Sequence, residues 1–260
     1  MKCNELSVTI IQTDLIWENK NENLKHFDHL IDGIKENTDL IILPEMFTTG
    51  FSMNTTELFD TTQGETLKWL QVKSKSKNAA ITGSIIIKEN EEFYNRLFFV
   101  EPNGEYVTYD KKHTFTLAKE HEHYTAGTEK LIVDYKGWKI CPLICYDLRF
   151  PVWARNTEDY DLLIYVANWP EKRVAAWDAL LKARAIENMC YCIGVNRIGT
   201  DGNDFPYVGH SAIYDEVGKR LSTEAFEETF IETKTLSIEK LETTRKKLGF
   251  LRDRDQFQLL

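Results

Sequence analysis

The order of hydrophobic patterns along the chain predicts an α/β fold, strands in mixed sheets covered by helices, and three observations carry that prediction. Segments of strand period alternate with segments of helical period. The longest apolar runs, 40–43 and 162–166, have strand length and fall short of the roughly 18 residues that a membrane-spanning helix takes. Two β-rich stretches meet across a short polar turn, which brings antiparallel pairs into the sheets.

Residues 6–11 are β-prone, and 21–35 place Leu24, Phe27, Leu30, Ile31 and Ile34 on one helical stripe. The run 39–43, nearly all apolar and closed by Pro44, reads as a strand buried on both faces. Residues 67–77 take helical form, 80–87 and 94–100 make a hairpin across 88–92, and 105–109 continue it beyond Asn103-Gly104. Strands follow over 131–135 and 138–145 around Lys136-Gly137, then over 161–166. A helix over 174–188 has Ala176, Leu180, Ala183 and Ile186 spaced for burial. The last third reads as strands over 190–196, 210–214 and 225–233, then a helix from its N-cap Ser237 to Leu248. With no Gly/Ser/Pro linker and no internal repeat, residues 1–260 are expected to form one domain.

The 260 residues hold 32 basic and 41 acidic side chains, for a net charge of −9, and are 42% apolar. That composition belongs to a globular protein and excludes disordered, collagen-like and coiled-coil classes. The acidic balance argues against nucleic acid as a partner, and the lack of a long apolar run argues against a membrane. Glu5 and Asp14 interrupt the segment where a secretory signal has an unbroken apolar stretch, so the cytoplasm is the expected compartment. Five cysteines (Cys3, Cys141, Cys145, Cys190, Cys192) predict at least one free thiol rather than a disulfide framework.

In open α/β sheets, reactive side chains gather beyond the carboxyl ends of the strands. Glu45 follows the run 40–43, Lys111 follows 106–109 and Asp110, and Cys145 follows 140–144. A carboxylate, an amine and a thiol therefore share one level of the fold. Cys145 sits where a strand runs into a helix start, and the N–H groups and positive dipole end there are expected to lower a thiol pKa. Taken singly, each has an ordinary reading: a buried inert cysteine, a loop carboxylate and, in Lys111-Lys112, a surface basic pair. Their joint placement is what points to chemistry.

Three segments then carry a resemblance. Leu43-Pro44-Glu45-Met46-Phe47 is similar to the glutamate motif of the nitrilase, or carbon–nitrogen hydrolase, superfamily, Asp110-Lys111-Lys112-His113 to its lysine motif, and Ile144-Cys145-Tyr146-Asp147-Leu148-Arg149-Phe150 to its cysteine motif. Ala167-Asn168-Trp169-Pro170, Gly194-Val195-Asn196-Arg197 and Leu251-Arg252-Asp253-Arg254-Asp255 resemble the ω-amidase branch. The resemblance runs from Leu6 into the tail. It implies a nitrilase-type α-β-β-α sandwich of two mixed β-sheets flanked by helices. It selects Lys111 over Lys112, with His113 as the motif's histidine, and picks Glu120, seven residues before Gly127, as a supporting glutamate. Ala126 stands where many relatives have Pro, a departure that bears on the shape of that loop. The resemblance also implies a homodimer, with the tail over about 249–260 in its contacts.

The chemistry so implied has Cys145 attack an amide carbon while Lys111 and the backbone N–H of Tyr146 face the oxyanion. Glu45 moves the proton, first from the thiol to the leaving ammonia and then from water. No cofactor and no metal enters; Cys141, Cys145, His121 and His123 lack the tight paired spacing of a zinc site. The branch implies a small-molecule amide substrate, the terminal amide of a 2-oxo dicarboxylic acid such as 2-oxoglutaramate or 2-oxosuccinamate. Its carboxylate calls for an arginine fork, and Arg173 is the candidate. Arg149 and Arg197, inside motifs, are read as structural ion-pair partners, and Phe47, Tyr94, Trp169 and Trp177 as walls of the pocket. The alternatives are another carbon–nitrogen hydrolase, such as an N-carbamoyl amidase, and a catalytically silent binding scaffold. Retention of Glu45, Lys111 and Cys145 together speaks against the last.

Overall fold

The computed structural model describes residues 3–259; Met1, Lys2 and Leu260 lie outside them. Elements follow in the order β1 (Glu5–Gln12), α1 (Lys20–Asp32), β2 (Leu40–Ile42), α2 (Thr55–Leu58), α3 (Glu65–Lys77), β3 (Ala80–Glu89), β4 (Glu92–Val100) and β5 (Tyr106–Asp110). The second half holds β6 (Val133–Tyr135), β7 (Trp138–Ile144), α4 (Pro151–Ala154), β8 (Leu162–Ala167), α5 (Val174–Asn188) and β9 (Tyr191–Asn196). It ends with β10 (Ile198–Thr200), β11 (Pro206–Val208), β12 (Ala212–Tyr214), β13 (Phe230–Ser237) and α6 (Ile238–Leu248).

Local chemistry explains the main boundaries. Asn19 caps α1, its side chain accepting the Glu22 N–H, and Leu24, Phe27 and Ile31 turn one face of that helix inward. The β3–β4 hairpin closes on two residues, Asn90 and Glu91, both at positive φ as a primed turn requires. Ser237 accepts the Lys240 N–H and starts α6, and Gly249 at φ +71° ends it.

The strands form two main mixed sheets, ordered β13-β1-β2-β3-β4-β5 and β12-β9-β8-β7-β6, with β10 and β11 paired apart. Parity along each strand then builds the layers. Leu6, Val8, Ile10, Leu40, Ile42, Leu97 and Phe99 share one core cluster with Ile140, Leu143 and Ile144 of the other sheet. The alternate residues, Ile41, Phe98 and Val100, pack on Phe27 and Ile31 of α1 and Leu67 and Leu70 of α3. On the far side α5 lays Trp177, Leu181 and Ala185 over the second sheet. The result is helix layer, sheet, sheet, helix layer.

Two sequence expectations shift here. The strand expected over 225–233 forms at Phe230–Ser237, because Gln12 Nε2 donates to the carbonyls of Ala225 and Glu228 and holds that stretch off the ladder. On α5 the buried stripe is Trp177, Leu181, Arg184, Ala185 and Asn188, whereas Ile186 is 46% exposed. Hydropathy misplaces the stripe because two of its members are polar: Arg184 Nη2 donates to the Leu148 carbonyl, and Asn188 Oδ1 accepts the Asn156 N–H.

α5 approaches β9 so closely that a Cβ at Gly194 would lie 2.4 Å from Leu181 Cδ1 and 2.6 Å from Trp177 Cζ2. Gly194→Ala is therefore expected to destabilise the fold by about 1–3 kcal/mol through overpacking. Urea unfolding checks it: a midpoint equal to that of the unchanged protein contradicts the close packing.

Candidate active site

Strand ends from both sheets converge on one cavity. Beyond β2, Leu43 still donates its N–H to the Thr82 carbonyl, and the chain then turns at Met46 (φ +43°), whose N–H is taken by Ser84 Oγ. That turn buries Glu45 completely between the sheets. Beyond β5, Lys111 donates its N–H to the Asn95 carbonyl and accepts the Gly127 N–H. Only glycine fits at 127, since a Cβ there would lie 2.1 Å from the Asp110 carbonyl oxygen. Glu120 opens a short 3-10 turn and is also wholly buried. Cys145 follows β7 at φ +44°, a left-handed conformation that a non-glycine residue adopts at a cost of order 1 kcal/mol.

The side chains meet around one ammonium. Lys111 Nζ lies 2.9 Å from Glu45 Oε1 and 3.0 and 2.9 Å from the two oxygens of Glu120. Glu45 Oε1 also accepts Asn95 Nδ2 at 2.8 Å, and its Oε2 accepts the Asn168 N–H at 2.8 Å. Glu120 Oε2 takes the Phe115 N–H at 2.5 Å. Cys145 Sγ stands 3.9 Å from the Asn168 carbonyl oxygen.

Burial works against the charge on Lys111, but Glu120, Glu45 and Cys145 overcome it and raise its pKa, so the ammonium is permanent. Burial raises the Glu120 carboxyl, with Lys111 opposing and Glu45 adding to the rise. The Cys145 thiol is pushed well above its ordinary value, first by burial and then by Glu45, while Lys111 opposes. This reverses the expectation from the helix start: a short 3-10 turn in a dry site does not offset desolvation and a facing carboxylate. The thiol is therefore neutral at neutral pH, with a carboxylate beside it.

A cavity of about 400 Å³ opens onto Lys111 and Cys145. Tyr146, Trp169 and Arg173 line it, together with Arg149, which the sequence assigned to an ion pair, and Phe51, Phe115 and Tyr207, which it did not single out. Arg173 lies over the Phe115 ring at 4.9 Å and Arg149 over the Trp169 ring at 4.8 Å. Among the described residues neither guanidinium is paired with a carboxylate, so Arg149 is not the structural ion-pair partner expected. Arg197 does pair, at 2.5 Å with Asp14, and is fully buried away from the cavity.

Three expected wall residues lie elsewhere. Phe47 points into the helix layer, 5.4 Å from Phe27 and in contact distance of Gly83, because the turn at Met46 sends residues 45 and 47 to opposite sides. Trp177 packs under α5 and donates to the His210 carbonyl. Tyr94 is on the wrong parity of β4: its neighbour Asn95 points between the sheets, so Tyr94 and Arg96 point away and stack at 5.0 Å. The sequence signal for Asn95 was available, since it shares parity with Leu97 and Phe99 in an otherwise apolar inner face.

Fold and site together define a protein of two packed mixed sheets whose strand ends bring a thiol, an ammonium and two carboxylates to one cavity. The sequence matches the Carbon-nitrogen hydrolase family over residues 7–246. It is 44% identical over 255 residues to the omega-amidase YafV of Escherichia coli (strain K12), covering 98% of each chain. It is 34% identical over 230 residues to the 2-oxoglutaramate amidase of Bacillus subtilis (strain 168), 86% of this chain and 88% of that one. In three dimensions it is similar to a CN-hydrolase superfamily protein from Xanthomonas campestris with an arsenic adduct in its active site, at TM-score 0.96 and 39% identity, covering 99% and 100% of the two chains. The chain belongs to the carbon–nitrogen hydrolase family and has the nitrilase-superfamily fold. It is an enzyme, a carbon–nitrogen hydrolase of the amidase kind.

Lys111→Met leaves Glu45 and Glu120 facing each other in a dry site, and breaking a buried pair in this way costs about 3–5 kcal/mol. One carboxyl then takes up a proton and has a folded-state pKa above its unfolded value. Stability of the variant is therefore lost as pH rises from about 4 toward neutrality. Thermal melts at pH 5 and pH 8 check the sign: the variant's deficit should be larger at pH 8, and an equal deficit contradicts the arrangement.

Proposed function

We propose that this enzyme is an ω-amidase that hydrolyses the terminal amide of small 2-oxo dicarboxylic acid monoamides, with 2-oxoglutaramate and 2-oxosuccinamate as substrates, through a cysteine thioester. The observation that carries the reading is the cavity itself: unpaired Arg149 and Arg173 on its wall and Cys145 beside a buried Glu45–Lys111–Glu120 cluster at its floor. The names of the two curated amidases support the substrate class.

The steps balance within the residues present. Cys145 Sγ attacks the amide carbon as Glu45 takes the thiol proton, a transfer the neutral thiol makes obligatory. The oxyanion forms toward Lys111 Nζ and the N–H of Tyr146, which in the first turn of its 3-10 helix has no carbonyl to meet within that helix. Glu45 returns the proton to nitrogen, the C–N bond breaks, and ammonia leaves a thioester. Glu45 then deprotonates water, which attacks the thioester, and the thiol recovers its proton. Glu120 holds Lys111 in place with two of its hydrogen bonds. Arg173, with Arg149 beside it, receives the carboxylate of the substrate. Trp169 forms the wall between them, its backbone clamped on both sides by Asn196.

Steady-state ammonia release tests the reading. 2-Oxoglutaramate should turn over with much higher kcat/KM than N-carbamoyl amino acids, and the reverse order sinks the branch assignment. Cys145→Ala should lose at least about 10³-fold in kcat, and residual turnover near that of the unchanged enzyme removes the nucleophile. Arg173→Ala should raise KM about tenfold with kcat less affected, the loss of one charge-assisted contact.

We also infer a cytoplasmic homodimer. All five cysteines are free, and the tail leaves Phe250 58% and Phe257 42% exposed as a contact surface. Light scattering should give about twice the mass of one chain; a monomer would overturn the dimer.

A further inference from the structure

Asn95 lies on β4 with its side chain between the sheets, 1% exposed, and it does not line the cavity. Its Nδ2 donates to Glu45 Oε1 at 2.8 Å and reaches Glu120 Oε1 at 3.4 Å. Its backbone carbonyl accepts the Lys111 N–H at 3.0 Å. One residue thus touches three members of the cluster, two through its amide nitrogen and one through its main chain.

The orientation of the amide is dictated by charge. Turned over, Asn95 would present an acceptor oxygen to two carboxylate oxygens, a repulsive contact in a dry site. As it stands, Oδ1 meets no donor among the described residues although it is buried. A buried acceptor left unmatched is a cost that native interiors rarely accept. The amide accepts it here because its nitrogen is needed on the carboxylate side. Asn168, from the other sheet, repeats the pattern: its Nδ2 donates to the Glu45 carbonyl, its N–H to Glu45 Oε2, and its own Oδ1 is unmatched. Glu45 is therefore held by one asparagine from each sheet, with Oε1 turned to Lys111 and Asn95 and Oε2 to Asn168 and the thiol side.

We propose that Asn95 is a positioning residue for hydrolysis: by donating its side-chain NH₂ to Glu45 and Glu120 together, it keeps both carboxylates ionised around Lys111 and keeps Glu45 turned toward Cys145. The proposal rests on the reading of Glu45 as the proton carrier. A single cation, Lys111, serves two carboxylates in this cluster, so the second donor decides whether both stay charged. The charged and titratable groups that face Glu45 are Lys111, Glu120, Cys145 and Tyr124, from the segments after β5 and β7 and from the 3-10 turn between them. None of the others is a neutral donor to both carboxylates. Removing the NH₂ group favours protonation of the Glu45/Glu120 pair and takes the base out of action at a higher pH.

The experiment compares Asn95→Ala and the isosteric Asn95→Asp with the unchanged full-length enzyme, each shown to be folded by its circular dichroism melt. Two pH profiles are measured: kcat/KM for ammonia release from 2-oxoglutaramate, and the rate of iodoacetamide alkylation of Cys145 located by mass mapping. The expected result is an acid limb moved up by about one pH unit in Asn95→Ala and further in Asn95→Asp, in both profiles, with KM at the optimum unchanged within about twofold. If Asn95→Ala does not fold, Asn95→Asp alone decides. A uniform fall of kcat with both limbs in place makes Asn95 part of the framework only and overturns the proposal, as does a limb moved to lower pH. The alkylation profile needs no substrate, so it judges Asn95 even if 2-oxoglutaramate is not hydrolysed. Failure of the substrate reading appears separately, as absent turnover in the unchanged enzyme, and failure of the nucleophile reading as turnover in Cys145→Ala.

Discussion

Lys111 Nζ, 1% exposed, sits within 3.0 Å of two fully buried carboxylates, and most of the architecture around it follows from keeping those charges dry and matched. Isolated, each of the three charges would be too costly to bury. Together they leave one net negative charge, spread over Asn95, Asn168 and the Phe115 N–H. Burial first, and the Glu45 carboxylate second, keep the neighbouring thiol protonated, so Cys145 and the cluster around Lys111 are parts of one electrostatic unit rather than independent groups.

Such a unit can only be assembled where two sheets meet. Glu45, Asn95 and Lys111 come from the sheet containing β1 to β5, and Cys145 and Asn168 from the sheet containing β7 and β8. The sheets are tied together beside the site by Asp147. Its buried carboxylate accepts the Ile144 N–H, the Tyr109 hydroxyl, and the backbone N–H and ring nitrogen of His113. Tyr109 in turn accepts the Trp153 indole N–H, and His113 stacks on Phe150 at 3.6 Å. The segments flanking Lys111 and Cys145 are thereby joined through one residue, which fixes their separation without using either reactive group.

Much of this was legible in the chain. A strand buried on both faces has no alternation to hide its end, so Glu45 and Cys145 stood out as the first reactive side chains after apolar runs. The walls of the cavity were not legible in the same way. Phe47 and Tyr94 are aromatic and close in sequence to Glu45 and Asn95, yet both point away: Tyr94 because one step along a strand reverses the face, and Phe47 because the left-handed turn at Met46 breaks the extended parity that would have put it beside Glu45. Composition favoured the aromatic neighbour, and geometry chose the asparagine. Arg149 was hidden for a different reason: whether an arginine is paired or free depends on residues far away in sequence, and no local pattern reports it.

The sequence by itself determined the alternation of strands and helices, the cap at Ser237, and the order of the glutamate, lysine and cysteine segments. These depend on hydrophobic period and on side chains that act within a few residues of their own position. Only the tertiary structure decided the protonation of Cys145, the sharing of Lys111 between Glu45 and Glu120, and the presence of Arg149 and Arg173 on one wall. Those properties arise from desolvation and from contacts across about 10 to 120 positions of chain, such as Asn168 on Glu45, and a dielectric environment does not exist until the two sheets have closed over it.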